Sequence, residues 1–382
     1  MQKGIWQNKY SNNKIYPYLN KDIDCDVIVV GGGISGAITS FFLGKEGFNV
    51  VVLEKNIIGY KNTSISTSCI TDFVDELYLK REKDKNNLSR LNRRANALLD
   101  EILVDIGDNN YLKKINHNII STKMFQKGMF KAELDERVKL GEEVNMLEKG
   151  NGIVIDNLAR TINPYNLTCD IFSYLSSFPN VHIYENTKLK SFNSSYDCVK
   201  VITNNDYIIS AKSLIITTSI DGIDISSIPS CELYKRFGIK LKTNFKEDLS
   251  LKVLNDIPIN IRVDNFGNML VSGIDTKYNY RMENDKYLSM QEKENEKRLK
   301  SLVYKLFPKI EIADEIISFS GDIIQTKDRL PVISEIDKLP NVYLNVGVGS
   351  SSIQNVLIGA DILKEAVRGY YKKEASLFKI NR

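Results

Sequence analysis

Histidine is nearly absent from this chain: among 382 residues there are two, His117 and His182, neither with a partner at ligand spacing. That removes a histidine-based metal centre and a Ser-His-Asp triad from the expected chemistry. His182 falls in the strand-like run Val181-His182-Ile183-Tyr184 and reads as a packed or edge residue. Cysteine is sparse and scattered. The five cysteines (Cys25, Cys69, Cys169, Cys198, Cys231) are far apart and form no CxxC pair. This argues against a disulfide framework or a zinc site and fits reduced thiols in a cytosolic protein. No charge sign dominates: 52 basic and 48 acidic residues leave a net charge of +4. The longest basic clusters, Arg93-Arg94 and Lys372-Lys373, are short, so no nucleic-acid partner is expected. No run reaches the ~18–20 apolar residues that span a bilayer. The first 20 residues are polar and aromatic, without the apolar core of a secretory signal. The expected location is the cytoplasm.

What remains is an ordinary globular composition, 42% hydrophobic and 26% charged, in a chain longer than a single core usually serves. Two domains are the expectation. No internal repeat or low-complexity linker interrupts it. Residues 26–30, Asp-Val-Ile-Val-Val, form an apolar β-branched run of the kind found in buried parallel strands. A glycine-rich turn, a helical segment over Ala37–Leu43, a stop at Gly47 and a second strand over residues 49–53 complete a βαβ unit. Leu88, Leu91, Leu98, Leu99 and Ile102 recur at helical spacing. Further helices are predicted over 131–148, 166–177, 287–306 and 352–368. Strands are predicted at 181–184, 214–216 and 342–346, with hairpins at 199–203/207–210 and 260–263/269–272. Residues 231–275 alternate as antiparallel strands do.

The turn itself reads Gly31-Gly32-Gly33-Ile34-Ser35-Gly36, a G-x-G-x-x-G between strand and helix. In such a turn Gly31 permits the tight bend, Gly33 lets backbone approach a pyrophosphate, and Gly36 lets helix and strand pack closely. The helix N-terminus offers N–H donors to phosphate. Glu54, at the end of the second strand, stands where a carboxylate holds ribose hydroxyls. A dinucleotide is therefore expected. Glu54 disfavours NADP, and the turn alone leaves FAD and NAD both open.

The run from Asp26 to Gly36, with Val52-Leu53-Glu54-Lys55, resembles the entry of the D-amino-acid oxidase/glycine oxidase (DAO) family of flavoproteins. Thr63-Ser64-Ile65-Ser66-Thr67-Ser68 is similar to the family's Ser/Thr loop beside the flavin ribityl and pyrophosphate. Ala159-Arg160-Thr161-Ile162-Asn163-Pro164 resembles the segment opening its second Rossmann stretch. Phe319-Ser320-Gly321 with Thr326-Lys327-Asp328-Arg329-Leu330-Pro331 resembles its late G…T-x-D-G-x-P motif. The run Gly347-Val348-Gly349-Ser350-Ser351-Ser352-Ile353 resembles the glycine-rich loop whose helix points at the flavin, and Phe378 to Arg382 matches its F-x-x-x-R ending.

The resemblance implies a discontinuous Rossmann-like α/β FAD domain over 20–78, 150–220 and 317–382. An α+β substrate domain with a largely antiparallel sheet would occupy 79–149 and 221–316, after an N-terminal extension, 1–19. It implies FAD contacts at Gly31, Gly33, Ile34, Ser35, Gly36, Glu54, Lys55, Thr63, Ser64, Thr67, Leu189, Thr217, Thr218, Gly321, Gly347, Gly349, Ser350, Ser351, Ser352 and Ile353. It also implies removal of hydride from a C–H next to nitrogen or oxygen of a small amine, amino acid or hydroxy acid. There the flavin takes the electrons and no acid/base dyad is required. The helix after Gly349 would stabilise negative charge on reduced flavin. Covalently tethered relatives use a Cys or His beside the ring. None lies near 319–331 or 345–353 and no His precedes 117, so FAD is expected to be non-covalent. No metal is expected, and the electron acceptor is left open.

Three departures bear on activity. The family's A-T-G is Thr217-Thr218-Ser219 here; serines replace residues of the late glycine loop; and Ile323 stands where amino-acid oxidases carry an arginine for the substrate carboxylate. Arg262 and Arg329 are substitute candidates for anion contact, each equally readable as a salt-bridge residue. A non-catalytic FAD-binding subunit is the alternative function, and an NAD-dependent dehydrogenase a third.

Overall fold

The computed structural model describes residues 5–6, 14–66, 69–70, 77–80, 84–107, 113–123, 126–147, 151–218, 231–254, 256, 258–264, 266–277, 285–349 and 352–382. Among them are six α-helices: α1 (Ile34–Lys45), α2 (Lys85–Ile106), α3 (Lys127–Lys139), α4 (Pro164–Leu175), α5 (Asp285–Leu306) and α6 (Ser352–Ala366).

An eight-stranded sheet follows from the β-branched runs. Strands Val332–Ile336, Leu339–Val346, Ile208–Ile216, Ile23–Val30, Val50–Leu53 and Val181–Tyr184 lie side by side in that order. All pair in parallel except the first two. The period of two sorts its side chains. Val27, Val29, Val50, Val52 and Ile215 face a core shared with α1, α2, α4 and α6. Ile28, Val30, Val51, Leu53, Leu214 and Ile216 face a second core under the hairpin of Leu189–Ser194 and Val199–Thr203. Burial on both faces explains the uninterrupted apolar runs. Asn163 starts α4 by accepting the N–H groups of Tyr165 and Asn166 (3.1 Å each), with Pro164 in the first turn.

The second sheet has nine strands. Ile312–Thr326, Cys231–Thr243, Asn268–Lys277, Ile259–Val263, Leu249–Val253, Lys113–Ser121, Asn151–Thr161 and Cys69–Ile70 follow in order, with Val144–Met146 beside Asn151–Thr161. Every pair is antiparallel except Leu249–Val253 with Lys113–Ser121. Phe237, Ile239, Leu241, Val271 and Ile261 form one face, buried against Leu299 and Val303 of α5. The architecture is the expected one, a Rossmann-like parallel sheet beside a largely antiparallel one.

Two predicted elements differ. The helix expected over 131–148 ends at Lys139. Gly141 takes φ +76°, its N–H caps Val138 O at 3.0 Å, and the chain leaves as strand Val144–Met146. The hairpin arm 207–210 and the strand 214–216 are one strand, Ile208–Ile216. Its first half pairs with Val199–Thr203, while most of its length runs parallel to Ile23–Val30.

Candidate functional site

Strand Ile23–Val30 delivers the glycine turn to the C-terminal edge of the parallel sheet, where open α/β sheets bind ligands. Each glycine there answers to a different neighbour. Gly31 takes φ +119°, and a Cβ on it would stand 2.8 Å from Thr217 Oγ1. A Cβ on Gly36 would lie 1.7 Å from Gly31 O, so only glycine lets α1 approach the strand this closely. Gly33 is extended (φ −83°, ψ −174°), and its Cβ would meet only Thr63 Oγ1, at 3.0 Å. Space lies beyond it.

That space is a cavity of about 260 Å³ between the two sheets. Gly31, Gly33, Ile34, Ser35, Glu54, Lys55, Thr63, Leu189, Thr217, Thr218, Gly321, Gly347, Gly349 and Ile353 all line it. Gly36 lies behind the turn. Ser64 is buried, its hydroxyl donating to Tyr60 O (2.6 Å) and Lys61 O (2.8 Å) rather than facing the cavity. Thr67, Ser219, Ser350 and Ser351, and the side chain of Ser352, lie outside the described residues.

Thr63 Oγ1 accepts the Ile34 N–H at 3.1 Å, tying the Ser/Thr loop to the first turn of α1. Glu54 Oε2 accepts the Gly32 N–H and Oε1 the Asn56 N–H, both at 2.8 Å. Burial raises the Glu54 pKa above the ordinary carboxylate value, and these two donors pull against that rise. Thr217 turns its hydroxyl inward to donate to Val30 O at 2.8 Å, which accommodates threonine where the family has alanine. Gly347 and Gly349 take φ +70° and +62° and turn the chain from strand Leu339–Val346 into α6.

The opposite wall comes from the second sheet: Arg236, Ser272, Phe319, Gly321, Asp322, Ile323 and Ile324. Gly321 is tight, because a Cβ would meet Ile65 Cδ1 at 2.5 Å and Asn62 Oδ1 at 3.1 Å. Asn62 also donates to Asp322 O, locking the Ser/Thr loop to this strand. Arg236 holds Asp275 in a two-point pair, Nε to Oδ1 at 2.7 Å and Nη2 to Oδ2 at 2.8 Å. Of the two arginines marked in the sequence, neither lines the cavity. Arg262 stacks on the Trp6 ring at 5.3 Å and donates to Ile162 O at 3.4 Å. Arg329 occupies a left-handed position, φ +59°, in the turn closed by its N–H to Thr326 O (3.1 Å). That backbone explains why glycine suits the position in the motif.

Arg236, Asn62 and Asn345 line the cavity without having been marked in the sequence. Asn345 carried a readable signal, a polar residue inside the apolar strand 342–346. Arg236 carried none; only the pairing of Cys231–Thr243 with Ile312–Thr326 sets it opposite Gly321.

The sequence model of the family described as DAO, FAD dependent oxidoreductase, matches residues 26–366. The chain belongs to that family. It is an FAD-dependent oxidoreductase, and the turn fits its cofactor: Gly33 leaves open the cavity space that a Cβ would enter, while Gly31 and Gly36 let the turn and α1 close up behind it. Glycine oxidase from Geobacillus kaustophilus superposes with a TM-score of 0.74 at 16% identity, over 94% of this chain and 99% of that one. L-proline dehydrogenase from P. horikoshii superposes at 0.75 and 16% identity, over 95% and 98%. Gamma-glutamylputrescine oxidoreductase from Escherichia coli (strain K12) is 50% identical over 52 residues, 13% of this chain. The curated relatives match over only 12% of their own length. No helix among the described residues is long and apolar enough to cross a membrane.

Proposed function

We propose that this chain oxidises a C–N bond in a small amine or amino acid, with non-covalent FAD held by the glycine turn and the substrate against the second sheet. The observation that carries this reading is the cavity's two-sided wall: nucleotide-type glycines and Glu54 on one side, Phe319, Ile323 and Arg236 on the other. Both superposed relatives named for small amino acids, glycine and L-proline, share the fold. FAD, when bound, accepts the hydride and its two electrons. The protein's part is placement. Thr63, the first turn of α1 and Glu54 hold the nucleotide portion. Phe319, Ile323 and Ile324 supply an apolar wall that excludes water from the reacting carbon. Arg236, fixed by Asp275, offers a positioned cation on that wall.

The sequence boundaries are proposed with exchanges of three strands and one helix. All eight strands of the first sheet fall within 20–78, 150–220 and 317–382, but strands Cys69–Ile70, Asn151–Thr161 and most of Ile312–Thr326, from the same ranges, pair in the antiparallel sheet. Helix α2, from 79–149, packs on the parallel sheet's core. A cytoplasmic location is proposed on Cys25, Cys169 and Cys198, whose thiols form no disulfide.

The test is the visible spectrum of the purified protein, followed by anaerobic titration with glycine, L-proline and other amines. Flavin bands freed by denaturation and bleached by an amine are the expected result. A yellow protein that no amine bleaches would favour the non-catalytic subunit, a reading supported by Ile323 at the cavity position where amino-acid oxidases carry their carboxylate arginine.

A further inference from the structure

The second sheet has one face committed to α5. Its other face carries Phe319, Gly321, Arg236 and Ser272 to the cavity and runs on beyond it to Leu270 and Arg262, which sit opposite each other in register. Ile5 and Trp6 cover this continuation. Ile5 is 7% exposed and packs with Leu270 and Phe319. Trp6 packs against the same cluster and also against the core of the parallel sheet. Its indole N–H donates to Ser66 O at 2.8 Å, and Arg262 stacks on its ring. Ser66, Ile65 and Phe319 all line the cavity. The Phe319 ring lies over Gly238, where a Cβ would come within 2.3 Å of it. Trp6 thus bridges the Ser/Thr loop and the second sheet directly behind the lining residues.

We propose that Ile5 and Trp6 form the end wall of the substrate side, making Trp6 a positioning residue that limits substrate size and keeps Arg262 turned from the cavity. Through the cluster of Ile5, Leu270 and Phe319, the Trp6 indole backs Phe319 and Ile65 in the cavity lining. Removing it frees both side chains and opens a path toward a guanidinium. Larger amines, especially those ending in an anion, then gain access. The size limit rests on the amine-oxidation reading; the wall itself does not.

Trp6 is the single tryptophan of the chain, so its emission reports the wall without labelling. In the FAD-loaded protein the expected emission is blue-shifted and resistant to acrylamide; emission open to quencher like free indole would overturn the proposal. Iodide quenching of flavin fluorescence should rise in Trp6→Ala and return to the wild-type level in Trp6→Phe. No change in Trp6→Ala, with FAD retained, would also overturn it. The ratio of kcat/KM for N-benzylglycine over glycine should rise about tenfold or more in Trp6→Ala, the low end of what a hydrophobic pocket contributes to size discrimination. An unchanged ratio refutes the size limit. If the wild type oxidises no amine, the amine reading falls and the two quenching measurements alone decide the wall.

Discussion

Alanine at Gly36 and alanine at Gly33 should fail in different ways. At Gly36 the new methyl would stand 1.7 Å from Gly31 O. A carbon and a carbonyl oxygen need more than 3 Å, and both partners are backbone, so α1 must move bodily off the strand. The helix is buried along its length, from Ile34 to Gly44. Such overpacking costs about 1–3 kcal/mol or more, whether or not FAD is present. At Gly33 the backbone is already extended and suits any residue. The methyl would meet only a threonine hydroxyl at 3.0 Å and would otherwise enter the cavity. Gly33→Ala should therefore leave the melting temperature of the apoprotein within a degree or two of wild type, while FAD affinity falls. Losing ~1.4 kcal/mol of cofactor contact weakens binding tenfold, and a methyl against a pyrophosphate costs at least that. Gly36→Ala should lower the apoprotein melting point by several degrees, at ~2–4 °C for each kcal/mol in domains of 150–250 residues. Differential scanning fluorimetry of both apoproteins and fluorescence titration with FAD separate the two. A Gly33→Ala protein that binds FAD as tightly as wild type would refute the placement of the cofactor against this turn.

Arg329→Ala should be less stable than Arg329→Gly by roughly 1 kcal/mol, because both lack the guanidinium but only alanine carries a Cβ in the left-handed region; equal urea midpoints would contradict this. Arg137, fully buried, pairs with Glu133 and Glu142 at 2.8 Å each. Glu133 also receives the Tyr78 and Leu79 N–H groups. Arg137→Ala strands buried carboxylates and should cost about 3–5 kcal/mol in urea unfolding, far more than Lys190→Ala at an exposed pair. Burial of Asp328 raises its pKa, but the Arg382 fork (2.6 and 2.8 Å) and the Leu330 N–H outweigh it, and the net shift is downward. A depressed carboxylate adds stability above its unfolded value, near 3.8, and loses it as pH falls through the folded one. The melting-point gap between wild type and Arg382→Ala should be full at neutral pH and close below about pH 4; a gap that persists unchanged at pH 3 would show that the ion pair is not its source.

The legible parts of this molecule are those where neighbours in sequence are neighbours in space. The glycine turn, its two strands and α1 lie within about 30 residues, the size of a βαβ unit, and every constraint on Gly31, Gly33 and Gly36 comes from that unit, the Ser/Thr loop or Thr217 and Thr218 just after strand Ile208–Ile216. The stop at Lys139 was legible too, in Gly141, had the charged run to 148 not continued the helical pattern. Strand Ile208–Ile216 was harder. Its polar middle, Ser210-Ala211-Lys212-Ser213, breaks an apolar run because the strand changes neighbours there, from the hairpin at one end to Leu339–Val346 at the other.

The substrate wall was the least legible part, for a physical reason. Arg236, Ser272 and Phe319 come from three strands, and nothing local marks them. Their adjacency is fixed by register, Gly238 opposite both Ser272 and Phe319, and Arg236 opposite Gly321. Opposite Phe237 and Gly238 the strand Asn268–Lys277 carries one extra residue, Gly273 (φ +143°), between Ile274 and Ser272. Slide strand Cys231–Thr243 by one residue against its neighbours and Phe237 would turn from α5 to the cavity while Arg236 entered the core. Gly238 leaves room for the Phe319 ring, which already fills the space a Cβ would need. A glycine-to-alanine change at 238 is therefore a test of the cavity wall from within the sheet. It should displace Phe319, loosen Ile5 behind it, and raise acrylamide access to Trp6 without touching the nucleotide side. Unchanged Trp6 emission in a folded, FAD-loaded Gly238→Ala protein would show that the phenylalanine and the N-terminal residues are not mechanically linked.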